Sequence, residues 1–465
     1  MNKLGLKKGI KKSNELYKQA LKYIGSGTNT FSRAPGVFPD GAAPKFLKKQ
    51  TGSYVWDVDG NKYIDMVMGC GPVTLGHGNT QINNAIKKQL KDGILYSMLH
   101  PLEVEVAQKL SKCIPYGEMF KFSKNGSDVC AASIKIARHI TKRDIILCWG
   151  YHGFQDWYVG TTDRNAGIPK AVRELTKTFE YHDIEGLKKL FKKHKNKVAA
   201  VIMEPVIGQK PLCSIVNGCK NKIYNKVCKG CPQSNFLKEV KKITHSNGSL
   251  LIFDEMISGF RFSVGGAGHY FGTHPDLATF GKGITNGMPL GVLAGRKKYM
   301  KHFDKVFLSS TYAPETLTLA AASATIDFYL KNNVVKKLWF LGEHIEEGFQ
   351  KTIDKYDLNQ SISLAGYPVR LMINTHDQDG TQNPYIASLY QQEMFKHGIL
   401  CFSGVLMLSY SLTKEDLKTI IKIFDKTCSK IKEAVSGKKS ISSFLTGKPN
   451  APVFKGLRER NASSN

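Results

Sequence analysis

The sequence predicts an α/β protein with a large, mostly parallel sheet covered by helices and a smaller α+β domain. Three observations lead there. From about residue 79 to 330, apolar runs of strand length alternate with segments of helical periodicity, the pattern of parallel strands joined by crossover helices. The apolar run Leu250-Leu251-Ile252-Phe253 ends in two acids, Asp254 and Glu255, and the carboxyl ends of such strands face the crevice where open α/β sheets bind ligands. Finally, 465 residues exceed what one simple core holds, so one large domain and one or two smaller ones are expected.

In chain order, residues 13–24 have helical periodicity and lead into a connector, 25–44, rich in Gly, Ser, Thr and Pro. Residues 54–65 read as a hairpin, because alternating apolar positions flank Asp59-Gly60-Asn61. Strands are expected at 119–123, 144–148, 198–203, 250–254 and 292–294, and helices at 79–91, 103–113, 128–141, 236–245 and 316–330. Further helices and two strands, 369–374 and 405–410, suggest the smaller domain. The expected division is an N-terminal segment 1–75, a large cofactor-binding domain 76–330 with a cysteine-rich insertion at about 210–234, a C-terminal small domain 331–435, and a polar tail 436–465. Such a tail is loosely ordered or draped on a partner subunit.

Composition narrows the function classes. No stretch is long and apolar enough to span a membrane, and Met1–Lys8 has charge without an apolar signal core, so a cytoplasmic protein with no membrane partner is expected. The formal net charge is +29. Its lysines, however, are scattered in pairs such as Lys48-Lys49, Lys87-Lys88, Lys188-Lys189 and Lys241-Lys242. That is a solvated surface that steers anionic substrates, not a basic arm for nucleic acid.

The chemistry centres on Lys282, in Thr279-Phe280-Gly281-Lys282-Gly283. Flanking glycines leave its amine open to a bulky group. With Asp254 it suggests a Schiff-base lysine and an aspartate holding a pyridinium nitrogen, the protein's share of pyridoxal-phosphate chemistry. Asn125-Gly126-Ser127-Asp128 follows a strand and opens a helix, where backbone N–H groups bind phosphate, although many helices begin this way as simple caps. Tyr151, after the next strand, stacks on a flat ring or packs in the core. Glu204 and Gln209, beyond the 198–203 strand, hydrogen-bond the ring oxygen or serve as loop polarity.

These residues resemble the class III (omega-type) pyridoxal-phosphate-dependent aminotransferase family, in particular its glutamate-1-semialdehyde 2,1-aminomutase-like branch. The resemblance rests on four ordered matches: Trp56-Asp57-Val58-Asp59-Gly60-Asn61, Tyr151-His152-Gly153, Leu251-Ile252-Phe253-Asp254-Glu255-Met256-Ile257-Ser258-Gly259-Phe260-Arg261, and Pro275-Asp276-Leu277-Ala278-Thr279-Phe280-Gly281-Lys282. It runs from about residue 25 to 330 and more weakly to about 430. It implies the pyridoxal-phosphate transferase fold, with a small domain built from both termini, and a homodimer with active sites at the subunit interface. By position, Gly126 and Ser127 would bind phosphate, Tyr151 would stack on the ring and Met256 would pack on its other face. Glu204 and Gln209 would lie near the ring oxygen, Thr311 would reach the phosphate in the partner subunit, and Arg33 would hold the substrate carboxylate.

The chain departs from the aminomutase branch at three places. Ser403-Gly404 stands where that branch carries a glutamate, Ser411-Leu412 where it carries Ala-His, and Phe154-Gln155-Asp156-Trp157-Tyr158 replaces its His-Ala-Asp stretch. On these grounds the sequence favours transfer from an amino-acid donor to an aldehyde or keto acceptor, such as a sugar or small carbonyl metabolite. The alternatives are the aminomutase, which makes 5-aminolevulinate from glutamate-1-semialdehyde, and a catalytically dead basic binding protein.

Ten cysteines are present. Cys70, Cys113, Cys130, Cys148, Cys401 and Cys428 stand singly and read as reduced thiols. Cys213, Cys219, Cys228 and Cys231 lie together and end in a Cys-x-x-Cys pair. They read as a structural zinc site or as reduced loop thiols or a redox pair.

Overall fold

The computed structural model describes residues 4–211, 235–451 and 453–454. These divide into two compact units, residues 4–79 with 336–453, and residues 80–335 with Phe454. Cys213, Cys219, Cys228 and Cys231 lie outside the described residues.

The first unit begins with the helix Lys11–Tyr23 and the strands β1 (Leu47–Thr51), β2 (Tyr54–Asp57) and β3 (Lys62–Asp65). β2 pairs antiparallel with β1 and β3. The turn residue Gly60 takes a φ of 88°. Beside it, Asp59 accepts the N–H groups of Lys12 and Ser13 at 2.8 and 3.0 Å, satisfying donors that the first turn of a helix leaves open. One acidic turn residue thus ties the N-terminal helix to the hairpin.

The second unit holds β4 (Met119–Ser123), β5 (Ile145–Trp149), β6 (Thr176–Thr178), β7 (Val198–Met203), β8 (Leu250–Asp254), β9 (Leu277–Gly281) and β10 (Gly291–Gly295). They form one sheet in the order β4-β10-β9-β8-β7-β5-β6. β10 runs antiparallel to both neighbours, and the other pairs are parallel. Every residue of β7, β8 and β9 is buried. Helices cover both faces of such strands, which is why the first two read as unbroken apolar runs. The helix Gly126–Thr141 supplies Val129, Ile134 and Ile136 to the core, where they join Ile146, Ile202 and Ile252 of the sheet.

The chain then returns to the first unit. β11 (Ile362–Tyr367) and β12 (Arg370–Thr375) form an antiparallel hairpin, and β13 (Ile399–Leu400) pairs parallel with β3. The helices Pro384–His397 and Lys414–Ser436 follow the hairpin and β13 respectively. The small unit is therefore built from both ends of the chain.

Two expectations need correction. Residues 405–410 form no strand. Leu406 donates to Leu371 O, Met407 to Met66 O and Tyr410 to Thr74 O, so the backbone bonds go to three separate segments and no ladder grows. The tail is not loose along its described length. Thr446 N–H donates to Gln392 Oε1 at 2.7 Å, and Asn450, 5% exposed, donates to Gln391 Oε1 at 2.7 Å. Both partners lie on the helix Pro384–His397 of the same unit. Of the six single cysteines, all are free thiols; five are buried and Cys70 is half-buried. Among the described residues, no helix is long and apolar enough to cross a membrane.

Candidate active site

The site in the second unit lies at the carboxyl ends of β5, β7 and β8, where the strands hand over to loops. Asp254 closes β8 and is 2% exposed. Its Oδ2 faces His152 Nδ1 at 2.8 Å and the Cys130 thiol at 3.5 Å. Its Oδ1 accepts Met256 N–H at 3.1 Å and the Thr279 hydroxyl at 3.4 Å. His152 Nε2 faces Trp149 O at 3.0 Å. A carbonyl and an ionised carboxylate both only accept, so each ring nitrogen donates, Nε2 to Trp149 O and Nδ1 to Asp254 Oδ2. Burial is the largest influence on Asp254 and pushes its pKa up. The His152 hydrogen bond and charge, Met256 N–H and the Lys282 charge together pull harder, and the net position is below the ordinary value. The carboxylate is therefore held ionised inside the protein.

Lys282 follows β9 and is half-buried, with a φ of 46°. Its charge reaches Asp254. Met256 fills the space between two glycines: a Cβ at Gly126 would come within 2.8 Å of its Sδ, and one at Gly281 within 2.7 Å. The chain is thus pared to backbone on both sides of that thioether. Gly126 and Ser127 open the helix Gly126–Thr141, which Asn125 caps by accepting Asp128 N–H at 3.0 Å. Ser127 Oγ accepts Phe154 N–H at 3.1 Å. Gly153, at φ 96°, lies so close that an added Cβ would sit 2.0 Å from that oxygen. Only glycine fits there, on backbone conformation and on space.

Glu204, at the end of β7, is 7% exposed, and its Oε1 accepts Tyr151 N–H at 3.0 Å. It ties the loop after β5 to the loop after β7. Tyr151 is 47% exposed, and its phenol is raised above its ordinary pKa, first by partial burial and then by the nearby Asp254, Cys130 and Glu204. Gln209 is 8% exposed and its Oε1 accepts Gly208 N–H at 3.3 Å. Thr311 stands exposed in a turn of the same unit. Arg33 belongs to the first unit, where its guanidinium donates to Gly69 O at 3.0 Å.

The structure therefore brings Asp254, Met256, Gly126 and Lys282 together, and ties Tyr151 to Glu204. The sequence reading did not single out His152, Cys130 or Thr279. His152 lies next to Tyr151 in the Tyr151-His152-Gly153 motif, but its bond to Asp254 joins residues far apart in the chain. The Trp157-Tyr158 change also looks different in three dimensions. Trp157 is 7% and Tyr158 1% exposed, and both pack in the core against the His152 ring. The change supports the histidine from within.

Glu255, beside Asp254, is fully buried and accepts from the Ser258 hydroxyl and from Ala267 N–H and Gly268 N–H at 2.8 and 2.7 Å. Burial dominates and pushes it up to about 7 from 4.5. A raised acid binds its proton more tightly folded than unfolded. Its effect on stability is therefore unfavourable as pH rises from about 4.5 to about 7, by up to about 3 kcal/mol. Glu255→Gln should remove that slope. Equilibrium unfolding of both proteins at about pH 5 and about pH 7.5 checks it: the variant should gain relative to wild type at the higher pH, and parallel curves would rule Glu255 out as the source.

The model of the family described as aminotransferase class-III matches residues 38–428. The chain belongs to the class III aminotransferases. It is thus an enzyme of a pyridoxal-phosphate-dependent family of aminotransferases and aminomutases. Among curated relatives, it is 35% identical over 366 residues to the glutamate-1-semialdehyde 2,1-aminomutase of Methanosphaera stadtmanae, covering 76% of this chain and 81% of that protein. The protein of the same name from Archaeoglobus fulgidus is 35% identical over 359 residues, covering 74% and 80%. Among solved structures, the FumI protein of Sphingopyxis sp. MTA144 superimposes with a TM-score of 0.81 at 22% identity, covering 94% of this chain and 100% of that one.

Proposed function

We propose that this class III aminotransferase family member is a glutamate-1-semialdehyde 2,1-aminomutase, which shifts an amino group within one molecule to give 5-aminolevulinate. The observation that carries this reading is the 35% identity, across about three quarters of the chain, to two archaeal proteins of that name. The sequence alone leaned toward an external donor, in part because of Trp157 and Tyr158. Their burial weakens that reason, whereas Phe154, which opens the same changed stretch, is 65% exposed.

The residues of the second unit fit pyridoxal phosphate. Gly126 and Ser127 offer a helix N-terminus to the phosphate, and Tyr151 and Met256 offer an aromatic and a thioether face to the ring. Asp254, held ionised, would keep the ring nitrogen protonated. Glu204 orients Tyr151 through its N–H, and Gln209 lies on the following loop. Bound pyridoxal phosphate supplies a carbonyl that condenses with amines and a ring that accepts electron density. Lys282 would hold the cofactor through its amine and, once released from it, would take a proton from, and return one to, the substrate carbon that bears the nitrogen. Arg33 holds the substrate carboxylate through its guanidinium.

The same proposal makes the enzyme a homodimer. On the second unit, Met98 and Leu99 are 83% and 89% exposed, and Phe307 and Tyr312 flank Thr311 with 77% and 62% exposure. A second copy would cover these apolar side chains, and Thr311 would then reach the phosphate in the partner's site. The second reading, a donor-dependent aminotransferase, is favoured by Ser403-Gly404, where the aminomutase branch carries a glutamate.

The test is turnover of glutamate-1-semialdehyde to 5-aminolevulinate with no added amino donor. Arg33→Ala is expected to raise KM about 10- to 100-fold, the loss of a charge-assisted hydrogen-bond pair. A strict requirement for L-glutamate or another donor, with release of its keto acid, would install the donor-dependent reading instead.

A further inference from the structure

The matched family segment stops at residue 428, but the chain beyond it is well attached. Gln392 Nε2 donates to Phe444 O at 2.9 Å, and the Thr446 hydroxyl donates to Asp40 O at 3.0 Å. Asn450 N–H donates to Ser388 Oγ at 2.9 Å, and Ala451 N–H to Gly36 O at 2.8 Å. These bonds lie within the first unit.

Phe454, three residues after Ala451, belongs to the second unit. Its ring centroid lies 5.9 Å from that of Tyr151, at an interplanar angle of 47°. Tyr151 makes a second ring contact, edge-on to Tyr158 at 5.6 Å. Tyr158 in turn meets the His152 ring at 5.3 Å, and His152 binds Asp254. Phe454 is therefore the outer member of a row of rings that leads to the buried carboxylate. Tyr151 is 47% exposed. Its backbone is held by Glu204, so the direction of its ring depends on the two aromatic neighbours.

We infer that Phe454 is a positioning residue: its ring lies against Tyr151 and fixes the orientation in which Tyr151 stacks on the cofactor. This rests on the role proposed for Tyr151. Aromatic pairs prefer tilted and edge-on geometries of this kind, and losing one costs a few-fold to about tenfold in an equilibrium constant. Tyr151 would still be present in such a variant, so cofactor binding should weaken without being lost.

The experiment uses the full-length protein stripped of cofactor with hydroxylamine and titrated with pyridoxal phosphate. Binding is read by absorbance, and ring orientation by the dichroism induced in the cofactor band. Phe454→Ala is expected to raise Kd about threefold to tenfold and to weaken the induced dichroism, with the thermal midpoint of the apoprotein unchanged. A chain ending at Ala451 should show the same two changes, and Phe454→Tyr should restore both. Unchanged Kd and dichroism in Phe454→Ala would overturn the inference. So would tighter binding, which would mean that Phe454 occupies the face the cofactor needs. Wild-type protein that takes up no pyridoxal phosphate would instead overturn the proposed function.

Discussion

Replacing Lys282 by alanine is expected to leave a folded protein with turnover reduced at least about a thousandfold. Two losses combine. The amine that holds the cofactor is gone, and so is the base that moves the proton, a role that by itself contributes on the order of 10² to 10⁴. Folding should survive, because Lys282 is half-buried and lies beyond the fully buried strand β9. The direct check is borohydride reduction of wild type, which should fix the cofactor covalently to the peptide containing Lys282. Label on a different lysine, or a Lys282→Ala protein that still fixes the cofactor, would refute the role.

Asp254→Asn is the second large effect, with turnover expected to fall about 10² to 10³-fold while some cofactor still binds. Asp254 is a preorganised charge in a buried site, where removing such a charge costs most. His152, Met256 N–H and Lys282 together outweigh the burial that would neutralise it, so the wild-type group is poised before any ligand arrives. An amide keeps the shape and loses the charge. It also leaves a His152 ring nitrogen 2.8 Å from a neutral partner. Kinetics and cofactor titration of the same preparation separate the two effects. Turnover within a few-fold of wild type would argue that the charge at Asp254 is not used.

Part of this design is visible in local sequence. β7 and β8 are buried on both faces, so they appear as uninterrupted apolar runs, and the acid at the end of β8 marks the ligand side of the sheet. The helix Gly126–Thr141 announces itself by its Asn125 cap and by its apolar period. β9 is hard to see in sequence: Leu277-Ala278-Thr279-Phe280-Gly281 is short and contains a hydroxyl and a glycine, so its composition carries little strand signal. Residues 405–410 failed in the opposite sense. Their composition suits a strand, but pairing needs a continuous partner, and the fold offers them three interrupted ones.

The sequence by itself determined the α/β class, the family and the lysine and aspartate on which the chemistry is proposed to turn, because apolar period and short motifs are local properties. The tertiary structure decided which groups tune those two residues. His152 reaches Asp254 across 102 positions and Cys130 across 124, and Glu204 reaches Tyr151 across 53. It also decided that Trp157 and Tyr158 support a histidine from the core, and that a phenylalanine near the chain's end lies on Tyr151. Such contacts are fixed by the order of strands in the sheet and by where their loops meet, and neither is written in any short stretch of residues.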